Sequence, residues 1–241
     1  MDFSQEDLID AIERLVSGLL ENAGVTAPPV DALRVAEDHI GIPVEIVEPA
    51  EEDENGRRRP RARPQGSGIF LSPDMSEENR QKVVADGIAR TLVPDVLRRL
   101  NVLPSEENKQ FVTQIRALIV PRILIPTRLL RVALKECKYD ILALKKVFAT
   151  ATTEAVALRL LDLDESCIIA ILDDGVVATR RGNRVPAGKK LEPAEQACHD
   201  QVLELDLPHR VRLGEWTVQG WPIPDRPFRR IILRAVRDDD V

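Results

Sequence analysis

Residues 167–179 read Cys-Ile-Ile-Ala-Ile-Leu-Asp-Asp-Gly-Val-Val-Ala-Thr. A β-branched run from Cys167 to Leu172 meets the turn signal Asp174-Gly175, and Val176 to Thr179 leads back. Asp-Gly between two such runs predicts a β-hairpin, because a two-residue turn of this kind needs positive φ at its central positions. Ahead of Asp164 the apolar residues recur at helical spacing; behind it they recur at a period near 2. Pro193 opens a helix over about 193–204. Trp216-Thr217-Val218 and Ile231 to Val236 read as further strands, with Pro222, Pro224 and Pro227 in the loop between them. The expected fold class is therefore α+β, with a helical domain over 1–163 and a small α/β domain over 164–241.

The helical part has clear punctuation. Ser4 and Asp7 form a capping-box pattern before Leu8, Ile12, Leu15 and Leu19. A short helix follows Pro28-Pro29 and stops at Gly41, and Pro43 to Val47 and Gly68 to Ser72 read as strands. Between them, residues 50–67 carry the acid block Glu51–Glu54 and the basic series Arg57 to Arg63, and read as a mobile loop or hairpin tip. From Ser76 a long helix is expected, with Val83, Val84, Gly87, Ile88, Thr91 and Leu92 buried and Glu77, Glu78, Arg80, Gln81 and Lys82 wet. Pro94 and Pro104 punctuate the next segments. Residues 105–119 form another helix, Pro121 and Pro126 bracket an apolar connection, and 127–135, 140–148 and 153–162 are helical.

With 241 residues, 44% of them hydrophobic and 31% charged, the chain is long enough to bury a sizeable core. Only 3% are aromatic, so that core must come from Leu, Ile, Val and Ala, with Trp216 and Trp221 as anchors. This composition excludes a collagen, a disulfide-stapled miniprotein and a disordered polyampholyte. The net charge of −6 disfavours general nucleic-acid binding unless the basic residues are concentrated. Cys137, Cys167 and Cys198 show no CxxC spacing and read as buried thiols of a reducing compartment. The opening residues are acidic where a secretory leader would be basic, and no stretch approaches the ~18 apolar residues of a membrane span. A soluble cytoplasmic protein with no membrane association is expected.

Motif chemistry is sparse. His39, His199 and His209 are the chain's histidines, and Cys198-His199 are helix neighbours pointing about 100° apart, a poor geometry for one metal. There is no HExxH, GxSxG, GxxxxGK[ST] or GxGxxG, so no cofactor is expected. The clusters Asp173-Asp174 and Asp238–Asp240 read as solvated charge. Asp86, Asp140, Asp173 and Asp174 leave open a metal enzyme of another kind, although no spacing groups them.

The order of segments over about residues 25–165 resembles the ImmA/IrrE-like metallopeptidases, a zincin-like group. The residues carrying it are Pro29 to Gly41, Gly68 to Ser72, the helix from Ser76 and Leu124-Ile125-Pro126. It is strongest in Leu142 to Leu163, through Phe148, Ala155-Val156 and Arg159-Leu160. The resemblance implies a zincin-like helical core with a small sheet, then a helical hairpin and a β-containing C-terminal domain of a sensor-like kind. It also implies an HExxH helix, but here that helix reads Val84-Ala85-Asp86-Gly87-Ile88-Ala89-Arg90. Ala85 and Ala89 fall on the zinc-binding histidines, Asp86 on the general base and Ile115 on the third ligand, a Glu. A hydrolytic zinc needs at least three N, O or S donors, and these side chains supply none beyond Asp86.

Two functions compete. The first is a non-catalytic relative of these peptidases, regulatory or scaffolding, bound to a protein partner; the family's targets are helix-turn-helix regulators. The second is a DNA-binding transcriptional regulator using residues 140–162 as helix-turn-helix. Seven basic residues lie between 122 and 146 against two acids. Six of them, Arg128, Arg131, Lys135, Lys138, Lys145 and Lys146, are the candidate phosphate contacts, with Arg122 as the seventh. Against DNA recognition, the would-be reading helix Glu154 to Leu160 offers few groups to base edges. A packing hairpin with a solvated basic face is the stronger reading. Residual metallopeptidase activity from an atypical site is a further alternative.

Overall fold

The structure is a computed structural model that describes residues 3–47, 68–102, 109–224 and 227–238. The chain divides into two compact units: Met1–Glu136 with Val147–Ala151, and Cys137–Lys146 with Thr152–Val241. The switch from helical to strand periodicity does fall near 164, but the units part earlier, because residues 137–146 and 152–163 belong with the strands. The fold class is α+β. Among the described residues no helix is long and apolar enough to cross a membrane.

In the first unit, α1 spans Gln5–Asn22. Ser4 Oγ accepts from the Asp7 backbone N–H, and the Asp7 carboxylate accepts from the Ser4 N–H, the reciprocal cap that the sequence predicts. The helical turn α2, Ala32–Arg34, runs on through Val35–Ile40 and ends at Gly41 with φ 76°. Strands β1 (Val44–Ile46) and β2 (Ile69–Leu71) pair in parallel. A tight hairpin is thereby ruled out between them, since parallel strands need a crossover; residues 50–67 themselves lie outside the described residues. Helix α3, Glu77–Arg99, passes through Pro94 without stopping.

The α3 stripe also sits elsewhere than its apolar pattern suggests. Thr91 is exposed, and the buried residues are Gln81, Val84, Ala85, Ile88, Ala89, Val93, Val96 and Leu97. Gln81 is the polar exception among them. Its Oε1 accepts from the Ala32 N–H at 2.6 Å, while its Nε2 donates to Asp31 and Glu77 at 3.0 Å each. A buried amide with this many partners fastens α2 to α3 at little desolvation cost. Helix α4, Lys109–Leu124, likewise continues through Pro121. Arg122 is therefore helical and 1% exposed, donating to Glu13 of α1 at 2.9 Å, so it is no part of a solvated basic face. Helix α5 is Thr127–Cys137.

In the second unit, α6 (Ile141–Val147) contributes all but its last residue, and α7 (Thr153–Arg159) ends in a 3-10 turn at Leu160–Asp162. Strands β3 (Ile168–Asp173) and β4 (Val176–Gly182) form the expected hairpin, with Asp174 at φ 48° and Gly175 at φ 79°. Helix α8 is Pro193–Leu205, followed by β5 (His209–Leu213), β6 (Trp216–Ile223) and β7 (Arg230–Arg237). The antiparallel sheet runs β4-β3-β7-β6-β5. Pro222 stands within β6 rather than in a loop: β5 pairs β6 only as far as Gly220, so at Pro222 that side needs no N–H. Ile168, Ala170, Leu172, Val218, Leu233 and Ala235 pack beneath Ala194, Cys198 and Val202 of α8. Trp221 is a buried anchor, whereas Trp216 is half-buried under the Arg237 guanidinium.

Candidate functional site

The helix that the family resemblance would set at the HExxH position is α3, and the helix bearing Ile115 is α4; the two pack against each other. Ser76 caps α3, and Gly87 brings it close to the small sheet. A Cβ on Gly87 would lie 2.3 Å from Ile69 Cδ1 and 2.7 Å from its Cγ1. Ala85, Ala89 and Ile115 are all 0% exposed. Buried alanines on α3 leave room for close packing.

Asp86 stands at the edge of this interface with its side chain 29% exposed. Its Oδ1 accepts from Arg116 Nε at 3.1 Å and Nη2 at 2.6 Å, and Oδ2 accepts from Arg116 and, at 3.0 Å, from Arg90. A carboxylate held in such a fork is a clasp between α3 and α4, and its basic lone pairs are already engaged. Zinc does not fit the residues present. Two methyls and a sec-butyl group bring no donor, and Asp86 alone falls short of the minimum. Among the described residues no group of three or more His, Cys, Asp or Glu is placed to hold a metal ion. A cavity of about 340 Å³ lies elsewhere in this unit, lined by the end of α1, the following loop, Arg34 of α2, and Asp38 and His39 of the helical segment that continues it. None of the four motif positions reaches it.

The six candidate phosphate contacts fall in different units. Arg128, Arg131 and Lys135 lie exposed along α5 in the first unit. In the second unit, Lys138 and Lys146 are exposed and Lys145 is half-buried. Asp140 caps α6 by accepting from the Leu142 N–H at 2.9 Å, and Thr152 caps α7 by accepting from the Ala155 N–H at 3.2 Å. The caps are those of a helical hairpin. Its second helix, however, has no exposed residue: Thr153, Val156, Ala157 and Arg159 are buried and the others half-buried. Glu154 is ion-paired to Arg230 of β7. A groove-reading helix must offer its side chains to bases, and α7 spends them on the sheet.

The remaining acidic groups are structural. Asp173, read as solvated, takes Arg230 at 2.6 and 2.7 Å, and Asp174 accepts from the Arg229 N–H at 2.9 Å. These bonds, foremost that to Asp173, raise the Arg230 pKa. Asp238 accepts from Thr217 and Arg212, both at 2.7 Å. Arg159, Arg180 and Arg234 have buried side chains and were not legible as structural residues, and Arg122, read among the basic series, is buried too. Arg180 pairs with Glu195 of α8 with both side chains 2% exposed, and Arg234 pairs with Glu165 and stacks 4.2 Å from the Tyr139 ring centre. The one available signal is that a lone arginine inside a strand or apolar run, as in Arg122-Ile123-Leu124-Ile125, demands a carboxylate from elsewhere. Burial pushes the thiols of Cys167 and Cys198 up to about 11 each.

No family profile and no curated protein matches the chain. Among solved structures, it is similar to a Mycobacterium tuberculosis transcriptional regulator, with a TM-score of 0.64 and 15% sequence identity. The alignment covers 96% of this chain and 80% of that one. At such identity the likeness is one of fold.

Proposed function

We propose that the chain is a non-catalytic regulatory or scaffolding protein, related to the ImmA/IrrE-like metallopeptidases and acting by binding another protein. The observation that carries this reading is the α3–α4 interface. The positions that would hold and activate a metal-bound water are alkyl groups sealed from solvent, and the one acid among them is bound by two guanidinium groups. The likeness in fold to a protein described as a transcriptional regulator supports a place in transcription control, and a helix-turn-helix regulator is the partner class that the family resemblance suggests. Elemental analysis of protein dialysed against zinc and then buffer tests the reading: a metal content far below one per chain is expected, and one zinc per chain overturns it.

DNA binding is the second reading, and the exposed α5 series Arg128, Arg131 and Lys135 favours it over the buried α7. Phosphate contacts release counterions, so this reading requires DNA affinity that falls steeply with salt and is lost when these three residues become Ala.

A further inference from the structure

Among the described residues, the sheet of the second unit ends at β5, which has β6 on one side and no strand on the other. We propose that this edge is a docking strand for an extended, acidic segment of a partner protein. The proposal deepens the reading above and rests on it, since it supplies the surface through which a protein contact is made.

The backbone geometry comes first. Leu213 pairs with Trp216 across the two-residue turn Gly214-Glu215, with Gly214 at φ 61°. The pair that closes such a turn exchanges its hydrogen bonds, and bonded pairs alternate along an antiparallel ladder. His209, Val211 and Leu213 therefore bond to β6, while the N–H and C=O groups of Arg210 and Arg212 point to the open side. Alternation also sorts the side chains. Val211 belongs to the face packed under α8, and so does Leu213, which is 47% exposed; Arg210 and Arg212 project from the other face, both exposed. On the α8 side, every residue of 203–208 is exposed, including Leu203, Leu205 and Leu207. Arg210 and Arg212 guard this edge against indiscriminate pairing, so a strand that joins it must answer their charge.

Charge decides between occupants. A second copy pairing antiparallel through β5, in a register centred on Arg210, Val211 or Arg212, sets arginine against arginine, which is unfavourable across strands. A segment with carboxylates at two alternate positions answers Arg210 and Arg212 on one face, and its intervening apolar side chains meet Val211 and Leu213 on the other. Asp238, held by Thr217 at 2.7 Å, already takes Arg212 at 2.7 Å and feels Arg210 as well, so the partner's carboxylates share these guanidinium groups with it, which the 75% exposure of Arg212 permits. Main-chain bonds give such a complex its affinity, and the alternating side chains give it selectivity.

The test uses the full chain and synthetic peptides of alternating Glu and Val, with Gln-Val and Lys-Val controls, read by fluorescence anisotropy and residue-resolved amide exchange. The Glu peptide should bind and slow exchange at Arg210 and Arg212, with the Gln peptide about tenfold weaker and the Lys peptide weaker still. Arg212→Pro removes an outward N–H where an outer strand tolerates proline, and should abolish binding at an unchanged thermal midpoint. Exchanging both charges, Arg210→Glu with Arg212→Glu, should transfer preference to the Lys peptide, which keeps the test decisive if the proline variant fails to fold. The proposal is overturned by no binding at millimolar peptide, by equal binding of all three peptides, or by protection away from 209–213. Dimerisation through β5, or a DNA duplex protecting these amides in place of the peptide, also overturns it. Zinc content of the same sample reports separately on the non-catalytic reading, so a metal-free protein that ignores the peptide loses the docking strand alone.

Discussion

Replacing Ile115 by Glu places on α4 the carboxylate that the proposed kinship with zinc peptidases calls for, and the structure sets what this must cost. Ile115 is 0% exposed, so its removal forfeits about 2 kcal/mol of apolar burial. A carboxyl group at that depth has no basic partner supplied, because Arg116 is committed to Asp86. It must then fold as the neutral acid. Against an unfolded pKa near ~4.3, holding the proton costs about 4 kcal/mol at pH 7 and about 1 kcal/mol at pH 5. The sign follows from a folded pKa raised above the unfolded one: the variant is at its best below ~4.3 and loses stability as pH rises towards the folded value. Ile115→Gln provides the same shape without a titrating group. Urea denaturation of the two variants at pH 5 and pH 7 should show Glu worse than Gln by about 3–4 kcal/mol at pH 7, with most of the gap gone at pH 5. Equal stability of the two variants at both pH values would mean that position 115 opens to water, and the sealed-interface reasoning would fail.

Packing and burial set two further outcomes. Gly220→Ala places a Cβ 2.8 Å from Val202 Cγ2 and 2.9 Å from Leu233 Cδ2, so it should cost about 1–2 kcal/mol in a thermal melt. Combined with Val202→Ala, which clears the nearest atom, the loss should fall short of the sum by about 1 kcal/mol; strict additivity would show that α8 does not press on β6 there. Because burial raises the thiols of Cys167 and Cys198 to about 11, stability should hold to about pH 9 and then decline towards pH 11 as unfolded thiols ionise first. At pH 8 in the native state, iodoacetamide should label half-buried Cys137 well before either of them; mass mapping showing Cys167 or Cys198 modified first would contradict their burial.

Reading function from this chain differs from reading its fold, and particular residues show why. A side chain without a donor atom cannot hold a metal in any surroundings, so the lack of donor chemistry at Ala85, Ala89 and Ile115 is visible without coordinates. That Asp86 is a clasp is not, because its partner Arg116 stands 30 residues away and nothing in its own surroundings marks it. The basic series from 122 to 146 looked continuous along the chain. Folding buries Arg122 against Glu13 and distributes the others over two units.

Everything local was legible in the residues themselves: the Ser4–Asp7 cap, the stop at Gly41, the Asp174-Gly175 turn, the Pro193 start of α8 and the change of apolar period near 164. Each depends on backbone preferences and hydrogen bonds within a few residues, so the causes lie side by side in the chain. Only folding in three dimensions made β1 and β2 run parallel and turned Gln81 inward. It also carried α3 and α4 through Pro94 and Pro121, and set β5 as an open edge. In those cases the outcome depends on which distant segments come to lie beside a polar group or a strand, and the free energy of pairing or packing there outweighs what the local residues prefer.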